Sequence, residues 1–275
     1  MRHGAPPRNA GSLRLLAVAL CLSVTALADP RRPSTSLRAG RRAVGGALAP
    51  SASQGFPNHG SLVHGRRLEE GPTVRYLPGR TLHWGTEELV GLLERAARTL
   101  HQRYRVRLTV GDLSARNGGP VARHRSHQSG RDADLAFFAR DRRGQPVTPQ
   151  DYAVFTATGR TADGRLEFDT ARNWAMVEAL LSDRQVRPER IFVSGALRGR
   201  LLAYGRAHAS RGSLVTLASS VLAQPARVSP HDNHFHVRIP CPSGDAACRW
   251  GVQLPRRLLH PRRLLRPAHR HPRRR

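Results

Sequence analysis

Histidine and aspartate side chains gather in two short segments whose spacing predicts a metal site. Successive side chains of a strand alternate faces, so His234 and His236 project to the same side. Upstream, His127 is followed by a turn at Gly130 and by Asp134 at the start of an apolar run. Two histidines and one carboxylate leave a tetrahedral zinc ion one open position for water, as in catalytic zinc sites. The first hypothesis is therefore a zinc-dependent hydrolase.

Each of these residues also has a structural interpretation. Asp134 could be a strand-end cap, and Asp132, on the same strand face, could be the ligand in its place. A single histidine in an apolar strand is more often a hydrogen-bonded packing residue than a ligand. However, His231, His234 and His236 fall within six residues of one another, which favours a site.

The length and the charge of the chain limit the size of the domain that holds the site and the kinds of partner it can have. The 275 residues suffice for one domain of about 150 to 200 residues with tails. The formal net charge of +27 suggests nucleic acid, an anionic membrane surface or an acidic polymer as neighbours. All 46 basic residues are arginine. Because this bias is spread evenly along the chain, it indicates genomic composition rather than a recognition surface. With 5% aromatic residues and no stacking motif, an arginine-rich nucleic-acid-binding protein is only an alternative, and no specific nucleic acid is predicted.

The first residues are typical of an exported protein. Arg2, Arg8 and Arg14 precede an uncharged run over 15–28, which predicts a signal peptide over 1–28. This run is too short for a permanent anchor, which needs roughly 20 apolar residues. The predicted location is therefore outside the cytoplasm, with the periplasm first and secretion as the alternative.

The mature chain divides into a linker, one domain and a tail. Residues 29–54 lack apolar periodicity and are predicted to be a disordered linker, and 55–250 are predicted to form the domain that contains the zinc site. The arginine-rich tail over 251–275 is predicted to be disordered and could hold the protein near an anionic wall or membrane surface. In an oxidising compartment, Cys241 and Cys248 favour a short-loop disulfide.

Apolar periodicity indicates the elements that position the site. Thr86 is the expected N-cap of a helix whose apolar residues follow the i, i+3, i+4, i+7 pattern up to Leu100, and 105–110 alternate like a half-buried strand. Further predictions are a strand over 134–138, a helix over 170–181, a strand over 191–193, a helix over 196–208 and a strand or buried connection over 214–222. The fold class is α+β, with a small, mainly antiparallel sheet, flanking helices and the zinc site on the sheet.

Two segments carry a family resemblance. Residues 126–134 (SHQSGRDAD) and 231–238 (HDNHFHVR) resemble the signatures of the penicillin-insensitive murein endopeptidases, zinc peptidases related to lysostaphin and to the D-alanyl-D-alanine dipeptidases. The similarity runs from about Phe56 to Cys248. The resemblance implies zinc ligands at His127, Asp134 and His236, a catalytic base at His234, a further active-site histidine at His231 and an additional metal or active-site residue at His124.

The resemblance also implies a substrate and a cofactor. The expected reaction is hydrolysis of D-alanyl-meso-diaminopimelyl cross-links in peptidoglycan, with one zinc ion. Some members carry an aspartate and a histidine before the helix that follows the first signature, but 169–174 contain no histidine here. Arg131 or Arg238 could bind a substrate carboxylate, because arginine pairs with carboxylates in a bidentate manner. An exported, non-catalytic wall-binding module is a second alternative, although no proposed ligand or base is missing.

Overall fold

Thirteen strands and four helices make up the part of the chain that the computed structural model describes, residues 49–208, 212–226 and 230–251. The predicted signal peptide, most of the predicted linker and nearly all of the predicted tail lie outside these residues. In the described ranges, no helix is long and apolar enough to cross a membrane. In chain order the elements are β1 (Ala52–Phe56), β2 (His59–Val63), β3 (Arg66–Arg67), β4 (Val74–Tyr76), β5 (Trp84–Gly85), α1 (Glu87–Tyr104), β6 (Leu108–Val110), β7 (Asp132–Ala136), β8 (Ala139–Asp141), β9 (Pro146–Val147), β10 (Leu166–Phe168), α2 (Thr170–Leu181), β11 (Arg190–Phe192), α3 (Gly195–His208), α4 (Gly212–Val221), β12 (Leu222–Ala223) and β13 (His234–Arg238).

The main sheet has six strands in the order β12-β11-β13-β7-β6-β4. Its inner pairs are antiparallel, and only the two outermost pairs are parallel. β13 pairs with β7 along its full length, so that His236 lies opposite Asp134 and Arg238 lies opposite Asp132. The predicted α+β class is confirmed, and the register places both sequence signatures side by side at the centre of the sheet.

Helix α1 covers the sheet as its pattern predicts. The Thr86 hydroxyl accepts a hydrogen bond from the backbone N–H of Leu89 at 3.3 Å, which caps the first turn. The apolar stripe from Leu89 to Leu100 is buried in the core with β6 and β7. The helix ends at Tyr104, and its C-cap residue, Arg105, adopts a left-handed conformation with φ 54°.

Residues 212–221 form a helix, where the sequence analysis placed a strand or a buried connection. The apolar positions Leu214, Leu217, Ala218 and Val221 follow a helical period, and the helix packs against α2 and α3. Only the next two residues, β12, extend the sheet beside β11. A short apolar run is compatible with both periods, and here the neighbouring helices select the helical one.

Strand boundaries also differ from the sequence analysis. β7 begins at Asp132 rather than Asp134, which brings both aspartates into the ladder with β13. β1 begins at Ala52, inside the segment assigned to the linker, because it pairs with β2 and because the Ser53 N–H donates to Asp245 at 2.7 Å. That partner lies 192 positions away, and no local pattern reveals it.

Close packing of α2 on α3 gives a first prediction. A Cβ at Gly205 would lie 2.4 Å from Cη2 of the buried Trp174, whereas a Cβ at Gly199 in the same helix would meet nothing within 4 Å. Gly205→Ala is expected to lower the free energy of unfolding by about 1–3 kcal/mol through overpacking. The matched control Gly199→Ala is expected to raise it by roughly 0.5–1 kcal/mol through helix propensity. Urea denaturation measures both, and equal stabilisation by the two substitutions would contradict this packing.

Candidate metal centre

The centre lies on one face of the β7–β13 pair. Asp134 on β7 and His236 on β13 are cross-strand partners, and His234 lies two residues before His236 on the same face. His127 comes from the segment before β7, where its backbone adopts a left-handed conformation with φ 67°, and its Nε2 atom lies 3.3 Å from Asp134. The structure therefore brings all four side chains together, as the sequence analysis predicted.

The Asp134 carboxylate lies at the centre of the histidine cluster. The carboxylate is 1% exposed, and three imidazole nitrogens approach its Oδ1 atom: His127 Nε2 at 3.3 Å, His236 Nδ1 at 3.3 Å and His234 Nε2 at 3.4 Å. Within the described residues, neither Asp134 Oδ1 nor His127 Nε2 makes a hydrogen bond. Buried polar atoms without partners cost free energy, so this arrangement calls for a further group among them.

The orientation of the His127 ring indicates which kind of group would fit between His127 Nε2 and Asp134 Oδ1. Its Nδ1 atom lies 2.7 Å from the carbonyl oxygen of Leu113, and since a carbonyl only accepts, Nδ1 carries the proton. In the neutral ring, Nε2 then points a lone pair at a carboxylate oxygen. Two acceptors facing each other require a cation between them, either a proton or a metal ion. This is the usual way in which a backbone carbonyl orients a histidine ligand.

Asp132 holds His236 from the other side. His236 Nε2 donates to Asp132 Oδ1 at 2.8 Å, and the same oxygen accepts from Arg238 Nε at 2.6 Å. The other carboxylate oxygen of Asp132, Oδ2, accepts a hydrogen bond from the backbone N–H of His127 at 3.2 Å. With both oxygens engaged, Asp132 serves as the carboxylate that orients a histidine, while Asp134 presents a free oxygen to the cluster.

The electrostatics of the cluster favour positive charge. Burial alone would raise the pKa of the Asp134 carboxyl, but the neighbouring His127 and His234 hold its pKa well below the ordinary value. Burial also opposes protonation of His236, yet the hydrogen bond to Asp132 and the negative charges of Asp132 and Asp134 raise its pKa to about 9. The two buried carboxylates thus attract a cation to the space that His236 Nδ1 faces.

His231 and His234 occupy the more open side of the centre. Both are half-buried, whereas His127, Asp134 and His236 are buried. His234 Nδ1 lies 2.6 Å from the side-chain oxygen of Asn233, which leaves Nε2 free to accept a proton. Burial and the nearby His236 and His234 lower the pKa of His231 to about 3, so its ring is neutral at neutral pH.

His124 joins the centre through the second oxygen of Asp134. Its Nδ1 atom lies 3.6 Å from Asp134 Oδ2, and its Nε2 atom lies 3.0 Å from Asp112 Oδ2. Arg80 Nη1 also donates to Asp112 Oδ2 at 3.2 Å. Burial would raise the pKa of Asp112, but His124 and Arg80 lower it overall. Among the residues that the structure describes, two sets of three could hold an ion, with ligand atoms within 4.8 Å of one another: His124, His127 and Asp134, and His231, His234 and His236.

The sequence analysis did not assign roles to Asp112, Arg80, Asn233 or Tyr152, all of which contact the cluster. The Tyr152 ring stacks on that of His234 with centroids 4.6 Å apart. Asp112 lies two residues after the buried strand β6, and a polar residue close to a strand end was a signal that could have been used. For Tyr152 the sequence offers no comparable signal, because its loop lacks periodicity.

The structure does not favour the possibility that Arg131 or Arg238 binds a substrate carboxylate, since both side chains are buried. Arg131 is fully buried and donates to the carbonyls of Ile239 at 3.3 Å and Arg249 at 2.8 Å. Arg238, 7% exposed, is bound by Asp132. Both guanidinium groups therefore lie inside the fold, where each donates to an acceptor of the protein.

The predicted disulfide between Cys241 and Cys248 is confirmed. It closes a loop just after β13, and this loop contacts β1 through backbone hydrogen bonds from Gly55 N to Ala247 O and from Arg249 N to Gly55 O, both 2.9 Å. The loop therefore joins the start of the described domain to the end of the strand that carries His234 and His236.

A protein-family model matches most of the chain. The family model described as penicillin-insensitive murein endopeptidase matches residues 53–257 of the chain. No curated protein sequence matches the chain significantly. The matched range includes both signature segments and every residue of the candidate metal centre.

Proposed function

Because the chain belongs to the family of penicillin-insensitive murein endopeptidases, we propose that it is a zinc-dependent enzyme that hydrolyses D-alanyl-meso-diaminopimelyl cross-links. The family supports peptidoglycan as the substrate and peptide-bond hydrolysis as the reaction. One observation carries the metal dependence: the buried Asp134 Oδ1 faces three imidazole nitrogens at 3.3–3.4 Å, and no hydrogen bond within the described residues satisfies it.

The donor set fits a zinc ion. His127 Nε2, Asp134 Oδ1 and His236 Nδ1 would hold it, and Leu113 O and Asp132 orient the two histidines. Nitrogen and carboxylate ligands in this number correspond to a catalytic rather than a structural zinc site. His124, beside Asp134 Oδ2, is the further candidate for a ligand.

The remaining histidines would move the proton. Zinc, when bound, acts as a Lewis acid on the scissile carbonyl and lowers the pKa of water to about 7. His234 Nε2 takes the proton of the attacking water, because Asn233 holds Nδ1 as the donor, and then delivers this proton to the leaving amine. His231, neutral and 5.1 Å from the ring of His234, lines the open side and accepts a hydrogen bond from the reacting groups.

Location and surroundings follow from the same proposal. An enzyme that acts on peptidoglycan requires export, which agrees with the predicted signal peptide and with the Cys241–Cys248 disulfide. We further propose that the arginine-rich tail concentrates the enzyme at an anionic wall or membrane surface by non-specific attraction.

Digestion of purified peptidoglycan tests the proposal. The protein, stripped with a chelator and reloaded with zinc, is expected to convert cross-linked dimers into monomers whose masses show hydrolysis at the D-alanyl bond. Stripped protein should be inactive, and zinc should restore turnover. Equal activity of stripped and reloaded protein, or products that keep their peptide cross-links, would contradict the proposal.

A further inference from the structure

An apolar cavity of about 340 Å³ opens beside His234 and has no part in the proposed chemistry. We name it the side pocket. The strand end at Ala136 and Phe137 forms one wall, and the loop with Val147, Ala153 and Phe155 forms the other. Its volume is in the range of small-ligand pockets, and such walls favour a hydrocarbon group.

The side pocket adjoins the residue that is proposed to move the proton. Tyr152 and Asn233 line the pocket, and both also contact His234, Tyr152 by stacking and Asn233 by a hydrogen bond of 2.6 Å. Ala136, on the pocket wall, is the cross-strand partner of His234. A substrate with its scissile amide at His234 therefore reaches the pocket with a side chain close to that amide.

Charged groups of both signs flank the pocket. Asp151 lines it with a side chain that is 80% exposed, and Arg80 Nη2 donates to Asp151 Oδ1 at 3.3 Å. Arg75 Nη2 donates to the carbonyl of Pro149, another wall residue, at 3.2 Å. A hydrocarbon wall next to a carboxylate and a guanidinium complements a side chain that has a polymethylene stem and a zwitterionic end.

A cross-linked peptidoglycan peptide contains one such side chain beside the scissile bond. The acceptor diaminopimelate contributes its side-chain nitrogen to the scissile amide, so this chain must run to the reacting centre. The donor diaminopimelate, which precedes the scissile D-alanine, keeps a free side chain that ends in an amine and a carboxylate. We propose that the side pocket binds this donor side chain, so that the enzyme prefers substrates with diaminopimelate at the donor position. This inference rests on the proposed function.

The test compares substrates and variants in the zinc-loaded enzyme. Three synthetic cross-linked peptides differ only at the donor position, which holds diaminopimelate, norleucine or alanine. The wild type is expected to cleave the diaminopimelate peptide with a kcat/KM about tenfold or more above that of the alanine peptide, with norleucine between them. This comparison needs no variant and so does not depend on folding.

Ala153→Leu then fills the pocket from its half-buried loop wall. We expect roughly a tenfold loss of kcat/KM on the diaminopimelate peptide, mainly through KM, and no loss on the alanine peptide. The matched control is Val154→Leu, a neighbour that is 54% exposed and is not part of the pocket wall. It should leave the kinetics of all three peptides unchanged.

The outcomes separate the two proposals. Equal cleavage of the three peptides by the wild type, or an equal loss on all three in Ala153→Leu, overturns the pocket assignment and leaves the endopeptidase function intact. If the wild type cleaves none of them and also fails on purified peptidoglycan, the proposed function itself is overturned, and with it the assignment of the pocket.

Discussion

Replacing His127, Asp134 or His236 with alanine is expected to abolish zinc binding and peptidoglycan hydrolysis together. Each substitution removes one of the three proposed ligand atoms, which converge within the buried centre. Loss of a residue that merely orients a ligand typically costs about 10–100-fold in metal affinity or activity, so loss of a ligand should exceed about 100-fold. Zinc content by elemental analysis and turnover on a cross-linked muropeptide measure the two effects in one sample.

A matched control separates loss of the site from loss of a histidine in general. His59 is exposed on β2, and His59→Ala should keep a full complement of zinc and wild-type turnover. Circular dichroism confirms that each variant is folded. Stoichiometric zinc in any of the three ligand variants would remove that residue from the ligand set.

The His234→Ala variant is expected to keep its zinc and to lose turnover by about 10² to 10⁴, the usual contribution of general acid–base catalysis. The distances do not distinguish His234 from the ligands, since its Nε2 atom lies 3.4 Å from Asp134 Oδ1. Its half-buried position and its bond to Asn233 do distinguish it. The loss should fall on kcat rather than KM, because the proton is transferred in the transition state.

Neighbouring variants sharpen this test. His231→Ala should also keep zinc, with a smaller loss of turnover, because its ring lies beside His234 rather than on Asp134. Asn233→Ala should lose less than His234→Ala, since it only frees the ring to rotate. Loss of zinc from His234→Ala, with zinc retained in His236→Ala, would exchange the proposed roles of the two histidines.

Sequence patterns over a few residues predicted those parts of the fold that depend on interactions between residues close together in the chain. The α1 stripe, its Thr86 cap and the alternation of His234 and His236 all depend on periods of a few residues, and the structure has each of them. The α4 helix was missed because a short apolar run fits either period, and only its packing on α2 and α3 selects one.

Partners of the site residues could not be predicted, because they are distant in sequence. Asp132 and Asp134 have the same type and share a strand face, and what distinguishes them is that Arg238, 106 positions away, binds Asp132. Arg131 looked free for a substrate, but its acceptor carbonyls lie 108 and 118 positions away. Tertiary contacts of this kind decide which polar side chain is structural and which is available.

The fully buried Arg131 depends on acceptors near the end of the domain. Its two acceptors, Ile239 and Arg249, belong to the last part of the domain to leave the ribosome, as does the strand with His234 and His236. A chain that stops before this segment has His127 and Asp134 but cannot assemble the centre around them. Copies that end before this segment are therefore expected to lack the proposed hydrolytic activity, which would require the entire domain to be synthesised and folded.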